Sequence, residues 1–246
     1  RLALIQPNID QIDKMDVYKI SATFALQEDL SRQAAGNKPD VIIWPETAVF
    51  SYMVQDPLLF PRLRQLAKDA GCWILCGTPY LQDGKAYNSV IALSPSGEIV
   101  SRYDKEHLVP FGEYLPFRPL LYPLLKTVGY YDSEFLPGTP RLLEFAGYRA
   151  ATGICFESTF PALIKKRVQQ GADFILVVTN DAWFGDSSAP YFHLNTSILR
   201  AIENRKYVIQ VGNSGISAVI DPCGRIIKQS NLNQREIIFS TLSPAN

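Results

Sequence analysis

The sequence predicts an α/β layered fold with mixed sheets. Short apolar runs alternate along the chain with helix-period segments, and several of these runs are joined in pairs by hairpin-type turns. The bulk numbers agree: 246 residues, 47% hydrophobic and 20% charged, suffice for a substantial core and exclude a disordered chain. Residues 1–246 are read as one domain.

Residues 2–6 alternate and read as a strand. Val17, Ile20, Phe24 and Leu30 mark a helix face over 16–35. Residues 41–44 form a short, wholly apolar strand of the kind buried on both faces. Leu58, Leu59, Leu63, Leu66 and Ala70 mark the next helix, stopped by Gly71. A strand at 73–76 follows. Residues 87–93 and 98–103 flank Ser94-Pro95-Ser96-Gly97, a hairpin turn. Strands at 142–145 and 148–154 meet at Gly147, and a helix over 161–170 ends at Gly171. A strand at 174–178 and a helix at 191–204 come next. Strands then fall at 206–211, 217–220 and 225–228, the last two joined by Asp221-Pro222-Cys223-Gly224, with a final one near 236–242.

One segment does not fit this rhythm. Residues 106–140 hold six prolines and a run of apolar and aromatic residues that includes Phe111, Tyr114, Phe117, Leu120, Leu124, Tyr130 and Tyr131. No strand or helix period is sustained there. A loop of this length inside a compact domain is usually functional. It reads either as a well-packed irregular segment or as a lid or arm offering apolar surface to a greasy substrate or a membrane interface.

Lys plus Arg equals Asp plus Glu at 24 each, and no basic block appears, so nucleic acid is excluded as a partner. No apolar run reaches the ~18 residues of a membrane span. Arg1 leads straight into a strand pattern, as expected of a domain cut from a longer chain. Of the four cysteines none forms a CxxC pair, and Cys72, Cys76 and Cys223 are expected as buried small apolar residues. With two histidines, His107 and His193, no metal site is expected.

Three residues could carry chemistry. Cys155 lies where a strand gives way to a helix, which brings its sulfur near backbone N–H groups able to hold an oxyanion. Glu46 follows a buried strand stopped by Pro45, at the C-terminal edge where ligands bind in open α/β sheets. Lys105 closes another strand. Alone, each has an ordinary explanation: core filler, a cap and a solvated strand end. Together they place a carboxylate, an ammonium and a thiol at three strand ends. That is the set needed to take a thiol proton, attack an acyl carbon and hold the oxyanion.

The motifs carrying these residues are Trp44-Pro45-Glu46-Thr47, Tyr103-Asp104-Lys105 with His107-Leu108-Val109-Pro110-Phe111-Gly112-Glu113-Tyr114, and Gly153-Ile154-Cys155-Phe156-Glu157. They resemble the nitrilase superfamily of carbon-nitrogen hydrolases over essentially the whole chain. That resemblance implies a four-layer αββα sandwich, here with the 106–140 insertion, and a Glu46-Lys105-Cys155 triad without a cofactor. The segment 107–116 is similar to the apolipoprotein N-acyltransferase family. So are Asn180-Asp181-Ala182-Trp183-Phe184-Gly185, Arg200-Ala201-Ile202-Glu203 and Asn213-Ser214-Gly215-Ile216-Ser217. Met15 and Phe156 depart from that family, where tryptophan and tyrosine are common.

This second resemblance implies transfer of an acyl chain from a phospholipid, through a Cys155 thioester, to the α-amino group of a lipidated apolipoprotein. Glu113, Glu157 and the Phe156 N–H would support the triad, and Trp183, Phe111, Tyr114 and His107 would contact substrate. The arm 106–140, with membrane helices absent from this sequence, would meet the membrane on the extracytoplasmic face of the bacterial cytoplasmic membrane. A soluble amidase or carbamoylase shares the triad. A Cys-His hydrolase using His107 or His193, and a silent lipid- or lipoprotein-binding domain, are the other readings.

Overall fold

A computed structural model describes residues 1–128, 134–185 and 187–242. The strands are β1 (Leu2–Gln6), β2 (Val41–Ile43), β3 (Trp73–Gln82), β4 (Lys85–Leu93), β5 (Ile99–Asp104), β6 (Leu143–Phe145), β7 (Tyr148–Ile154), β8 (Phe174–Thr179), β9 (Val208–Gly212), β10 (Ala218–Ile220), β11 (Ile226–Gln229) and β12 (Glu236–Ser240). The helices are α1 (Gln11–Met15), α2 (Ile20–Ala35), α3 (Leu59–Ala70), α4 (Arg118–Leu125), α5 (Pro161–Gln169) and α6 (Ala189–Asn204).

Two six-stranded sheets form, in the orders β12-β1-β2-β3-β4-β5 and β11-β10-β9-β8-β7-β6. The central pairs β1–β2, β2–β3, β7–β8 and β8–β9 are parallel and the outer ones antiparallel, so both sheets are mixed.

Side-chain alternation shows how the layers stack. Leu2, Leu4, Val41, Ile43, Ala150, Ile154, Leu176 and Val178 share one core that joins residues of both sheets. Their neighbours Ala3, Ile5 and Ile42 turn outward, onto Phe24, Leu30, Leu63 and Leu66 of α2 and α3. On the other sheet Ala151, Ile175 and Val177 face Ile164 of α5 and Leu194 and Ala201 of α6. The order is therefore helix, sheet, sheet, helix. Strands covered on both faces read as continuous apolar runs, which explains 41–44 and 174–178.

Local chemistry sets the boundaries. Gly71 ends α3 in the left-handed region at φ 61°, a conformation that costs glycine little. The β3 strand runs six residues beyond 73–76 because a second hairpin turns at Asp83 and Gly84, both with positive φ. Within 106–140 the structure has a short helix, α4, where no helix period was expected. Pro119 sits in its first turn, where proline is tolerated, and Pro123 lies inside it. Phe117, Leu120 and Leu124 of this segment stay exposed; Tyr130 and Tyr131 lie outside the described residues. Cys72 and Cys76 are buried, but Cys223 is exposed. Its place in the β10–β11 turn puts it at the rim of the sheet rather than in the core.

Candidate active site

Glu46 is held by its own strand end. Trp44 is fully buried, its ring edge-on to Phe24 and its Nε1 donating to Ser31 Oγ at 2.8 Å. Pro45 stops the ladder and Thr47 takes φ 40°, so the chain turns sharply and Glu46 points back over the sheet end. Gly77 of β3 makes room for this turn: a Cβ there would stand 2.2 Å from the Pro45 oxygen and 2.8 Å from Glu46 Cα.

Lys105 follows β5 and is 1% exposed. Its Nζ lies 2.8 Å from Glu113 Oε2 and 3.7 Å from Glu46 Oε1. Asn88 of β4 bridges the two carboxylates, donating from Nδ2 to Glu46 Oε1 and Glu113 Oε1 at 2.8 Å each. Its main-chain oxygen accepts the Lys105 N–H, also at 2.8 Å. Glu113 is fixed further by the Val109 N–H at 2.9 Å.

Cys155 follows β7 on the other sheet, at φ 52°, a strained left-handed conformation for a side-chain-bearing residue. The short 3-10 helix Cys155–Thr159 begins there, so the Phe156 N–H lies in a first turn whose donors lack helical acceptors. Thr179, whose hydroxyl opposes the rise of the Cys155 thiol, donates from Oγ1 to Asp181 Oδ1 at 2.9 Å, and His193 Nδ1 lies 2.7 Å from the same oxygen.

Glu157 lies at the centre of a buried latch. Fully buried, it accepts from the Tyr103 hydroxyl at 2.8 Å and from the N–H groups of Glu106, His107 and Ile154 at 2.8, 3.0 and 2.9 Å. Arg167 of α5 pairs with it at 3.3 Å and reaches Tyr103 and the Thr152 carbonyl as well. One carboxylate thus ties the Lys105 loop on one sheet to the Cys155 turn on the other.

Burial drives the titration of these groups. It pushes the Cys155 thiol up to about 12, with the Glu46 charge adding and Lys105 opposing. It raises Glu46 above the ordinary carboxylate value, against the pull of Lys105 and with the Glu113 charge reinforcing it. Burial alone would lower Lys105, but Glu46, Cys155 and Glu113 outweigh it and hold the ammonium above its usual range. The site therefore sets a thiol held neutral beside a carboxyl group of raised proton affinity and a firmly charged lysine. Such a set is suited to acyl transfer through a thioester.

A cavity of about 300 Å³ opens over Glu46, at the small end of the usual range for ligand sites. Trp183, Phe111, Phe135, Met15 and Phe50 give it an apolar wall. The structure brings Glu46, Lys105, Glu113, Cys155 and Glu157 into one cluster, and puts Phe111 and Trp183 on the cavity. His107 and Tyr114 do not line it: the His107 ring lies against Phe160 at 4.1 Å, and Tyr114 closes the Pro110–Tyr114 bridge.

Sequence reasoning missed Asn88, Thr179 and Lys14. Asn88 lies inside β4 between Tyr87 and Ser89, and Thr179 closes β8 after five apolar residues, so neither position marks a functional side chain. Lys14 carried no signal either, being one lysine in a polar stretch. Its Nζ nonetheless donates to the Glu46 main-chain oxygen at 2.9 Å, and the side chain is 2% exposed.

Among known proteins, the chain is similar to apolipoprotein N-acyltransferase of Geobacter metallireducens, 38% identical over 244 residues, which covers 97% of this chain and 47% of that protein. The Methylococcus capsulatus apolipoprotein N-acyltransferase is 36% identical over 250 residues, 99% of this chain and 48% of that protein. The chain thus spans just under half the length of these relatives. An amidase from Nesterenkonia sp. AN1, solved as a mutant showing Michael addition of acrylamide at its active site cysteine, superposes with a TM-score of 0.70 at 20% identity, over 96% of this chain and 90% of that one. The Caenorhabditis elegans NitFhit protein gives 0.74 at 18% identity, over 96% of this chain and 58% of that one. These two establish the fold, the four-layer sandwich of the nitrilase superfamily. The carbon-nitrogen hydrolase family matches residues 1–246 in full, and the chain belongs to that family.

Proposed function

We propose that this chain is the catalytic part of an apolipoprotein N-acyltransferase, with Cys155 as nucleophile, Glu46 as general base and acid, and Lys105 as oxyanion partner. The observation that carries this reading is the similarity to such enzymes along 97% of the chain, with these three groups meeting at one cluster.

In the first half-reaction Glu46 takes the Cys155 proton as the sulfur attacks the ester carbonyl of a phospholipid. Lys105 and the Phe156 N–H hold the oxyanion. The ester bond breaks, Glu46 returns the proton to the departing alkoxide, and a thioester and a lysophospholipid result. In the second, the α-amino group of a lipoprotein's lipidated N-terminal cysteine attacks the thioester and gives a proton to Glu46. The C–S bond breaks, the thiolate regains that proton, and an amide is released. No cofactor enters either half.

Phe111, Phe117, Leu120 and Leu124 are exposed on the 106–140 segment, and Trp183, also exposed, lines the cavity together with Phe111. In this reading they meet lipid at the extracytoplasmic face of the bacterial cytoplasmic membrane. Among the described residues no helix is long and apolar enough to cross a membrane. Membrane attachment would therefore come from parts of a longer protein.

The test is intact mass after incubation with phospholipid in detergent. A gain of one acyl chain, reversed by hydroxylamine and lost in Cys155→Ala but kept in Cys223→Ala, is expected. An equal adduct in both variants refutes the assignment of Cys155. Hydrolysis of a simple amide without any lipid adduct would make the chain an amidase instead.

A further inference from the structure

Three charged side chains line the cavity: Lys14, Glu46 and Glu113. The two carboxylates are bound up with Lys105 and Asn88. Lys14 has no part in the scheme above, yet it is as deeply buried as the groups that do.

Its surroundings are unusual for a lysine. Among the described residues no carboxylate oxygen lies within salt-bridge distance of its Nζ, whose hydrogen bond goes to the Glu46 main chain. A buried ammonium without a paired carboxylate is costly. A neutral side chain could make the same hydrogen bond at less expense. The placement is also secured from outside: Asn180 Nδ2 donates to Gln11 Oε1 at 2.8 Å, and Asn213 holds the Ile9 main chain from both sides. The short helix α1 is thereby pinned with Lys14 over the Glu46 turn.

The charges that face these groups can be enumerated. Lys14 feels Glu46 and Cys155. Glu46 feels Lys105, Glu113 and Lys14. Cys155 feels Glu46, Lys105 and Asp181, the last with His193 against it. Both groups that attract Lys14 are the partners in the proton transfer. Negative charge sits on Glu46 before that transfer and on sulfur after it, within reach of the same ammonium.

We infer that Lys14 is a positioning residue of this centre: it fixes the Glu46 main chain and supplies, beside Lys105, a second positive charge that keeps Glu46 ionised and ready for the Cys155 proton. This rests on the roles of Glu46 and Cys155 proposed above. Lys105 is shared between two carboxylates, so its charge alone is divided; Lys14 restores the balance at Glu46. Burial lowers Lys14 to about 7, against the pull of the Glu46 and Cys155 charges, so below that pH it carries its proton beside Glu46.

The experiment follows iodoacetamide alkylation of Cys155 by intact mass, from mildly acidic to mildly alkaline pH, in the full chain carrying Cys223→Ser to silence the exposed thiol. The rate is expected to rise along an acidic limb set by the Glu46–Cys155 pair. Lys14→Gln keeps a donor for the Glu46 carbonyl and drops the charge. It should move that limb up by about one pH unit, a tenfold loss on its slope. Lys14→Arg should bring the limb back. Should Lys14→Gln fail to fold, Lys14→Met removes charge and donor together, and the shifted limb, rather than a uniform drop, is again the expected result.

An unmoved limb in Lys14→Gln overturns the inference, as does a uniform drop in rate with no shift, which would mark a purely structural lysine. Glu46→Gln separates the two levels. If it removes the limb while Lys14→Gln leaves it alone, only the role of Lys14 fails. If Glu46→Gln leaves the limb in place, the triad reading fails with it.

Discussion

Replacing Glu157 with glutamine should cost this protein about 3–4 kcal/mol of stability. The substitution keeps size and one carbonyl oxygen. That oxygen can still accept the Glu106 and His107 N–H groups. The new amide then faces the Ile154 N–H, a donor against a donor, and the ion pair with Arg167 is lost. Breaking a buried pair costs about 3–5 kcal/mol, and a stranded buried N–H about 1–3 kcal/mol. Arg167 keeps Glu106 at 2.8 Å, so its charge is not left uncompensated and the two losses together come to about 3–4 kcal/mol. Against a typical total of about 5–15 kcal/mol this is a large fraction. With a urea slope of about 3 kcal/mol per molar, the midpoint falls by about 1 M. Equilibrium urea unfolding at neutral pH, followed by fluorescence and circular dichroism with coincident transitions, measures it. A midpoint shift worth less than about 1 kcal/mol at unchanged slope would refute the claim that this carboxylate ties the two sheets together.

Other outcomes are expected at other points. Gly77→Ala must push the Pro45–Glu46 turn, so it should cost about 1–3 kcal/mol in thermal or urea unfolding and slow Cys155 alkylation as well. Lys14 has a lower pKa in the folded chain than in the unfolded one, so between about 7 and its ordinary value the unfolded state binds more protons. Stability from this group therefore rises with pH across that window. Relative to Lys14→Met, the parent should gain about 1 kcal/mol per pH unit there, read from urea midpoints at several pH values. Phe111→Ala and Trp183→Ala should raise KM for a phospholipid donor severalfold and leave alkylation of Cys155 unchanged.

The layers of the fold were legible because strands buried on both faces leave unbroken apolar runs and helices leave a stripe. The hairpins at Ser94–Gly97 and Asp221–Gly224 were legible because turns demand particular residues. The missed turn at Asp83-Gly84 carries an equally plain signal, but Gly77, Thr78 and Pro79 break the apolar run of β3 well before the turn. α4 was hidden because its prolines deny a helix period, although one of them stands where a helix accepts it. Glu46, Lys105 and Cys155 stood out by their strand-end positions, and Glu113 and Glu157 through family resemblance. Lys14 and Asn88 could not be found this way. What distinguishes them is whom they touch across 32 and 42 residues of chain, and no local pattern encodes that.

The outermost pairing of the first sheet joins the two extremes of the described chain: β1 opens it, and β12 lies against it more than two hundred residues later. Glu46 and Lys105 belong to that sheet, while Cys155 belongs to the other. During synthesis from the N-terminus the carboxylate and the lysine emerge first, but the sheet that carries them stays one strand short until β12 has been made. Such long-range closure makes folding slow. Until β12 arrives, β1 is an edge strand with unpaired main-chain groups, so a nascent or partly folded chain would offer it as a template for pairing with another chain.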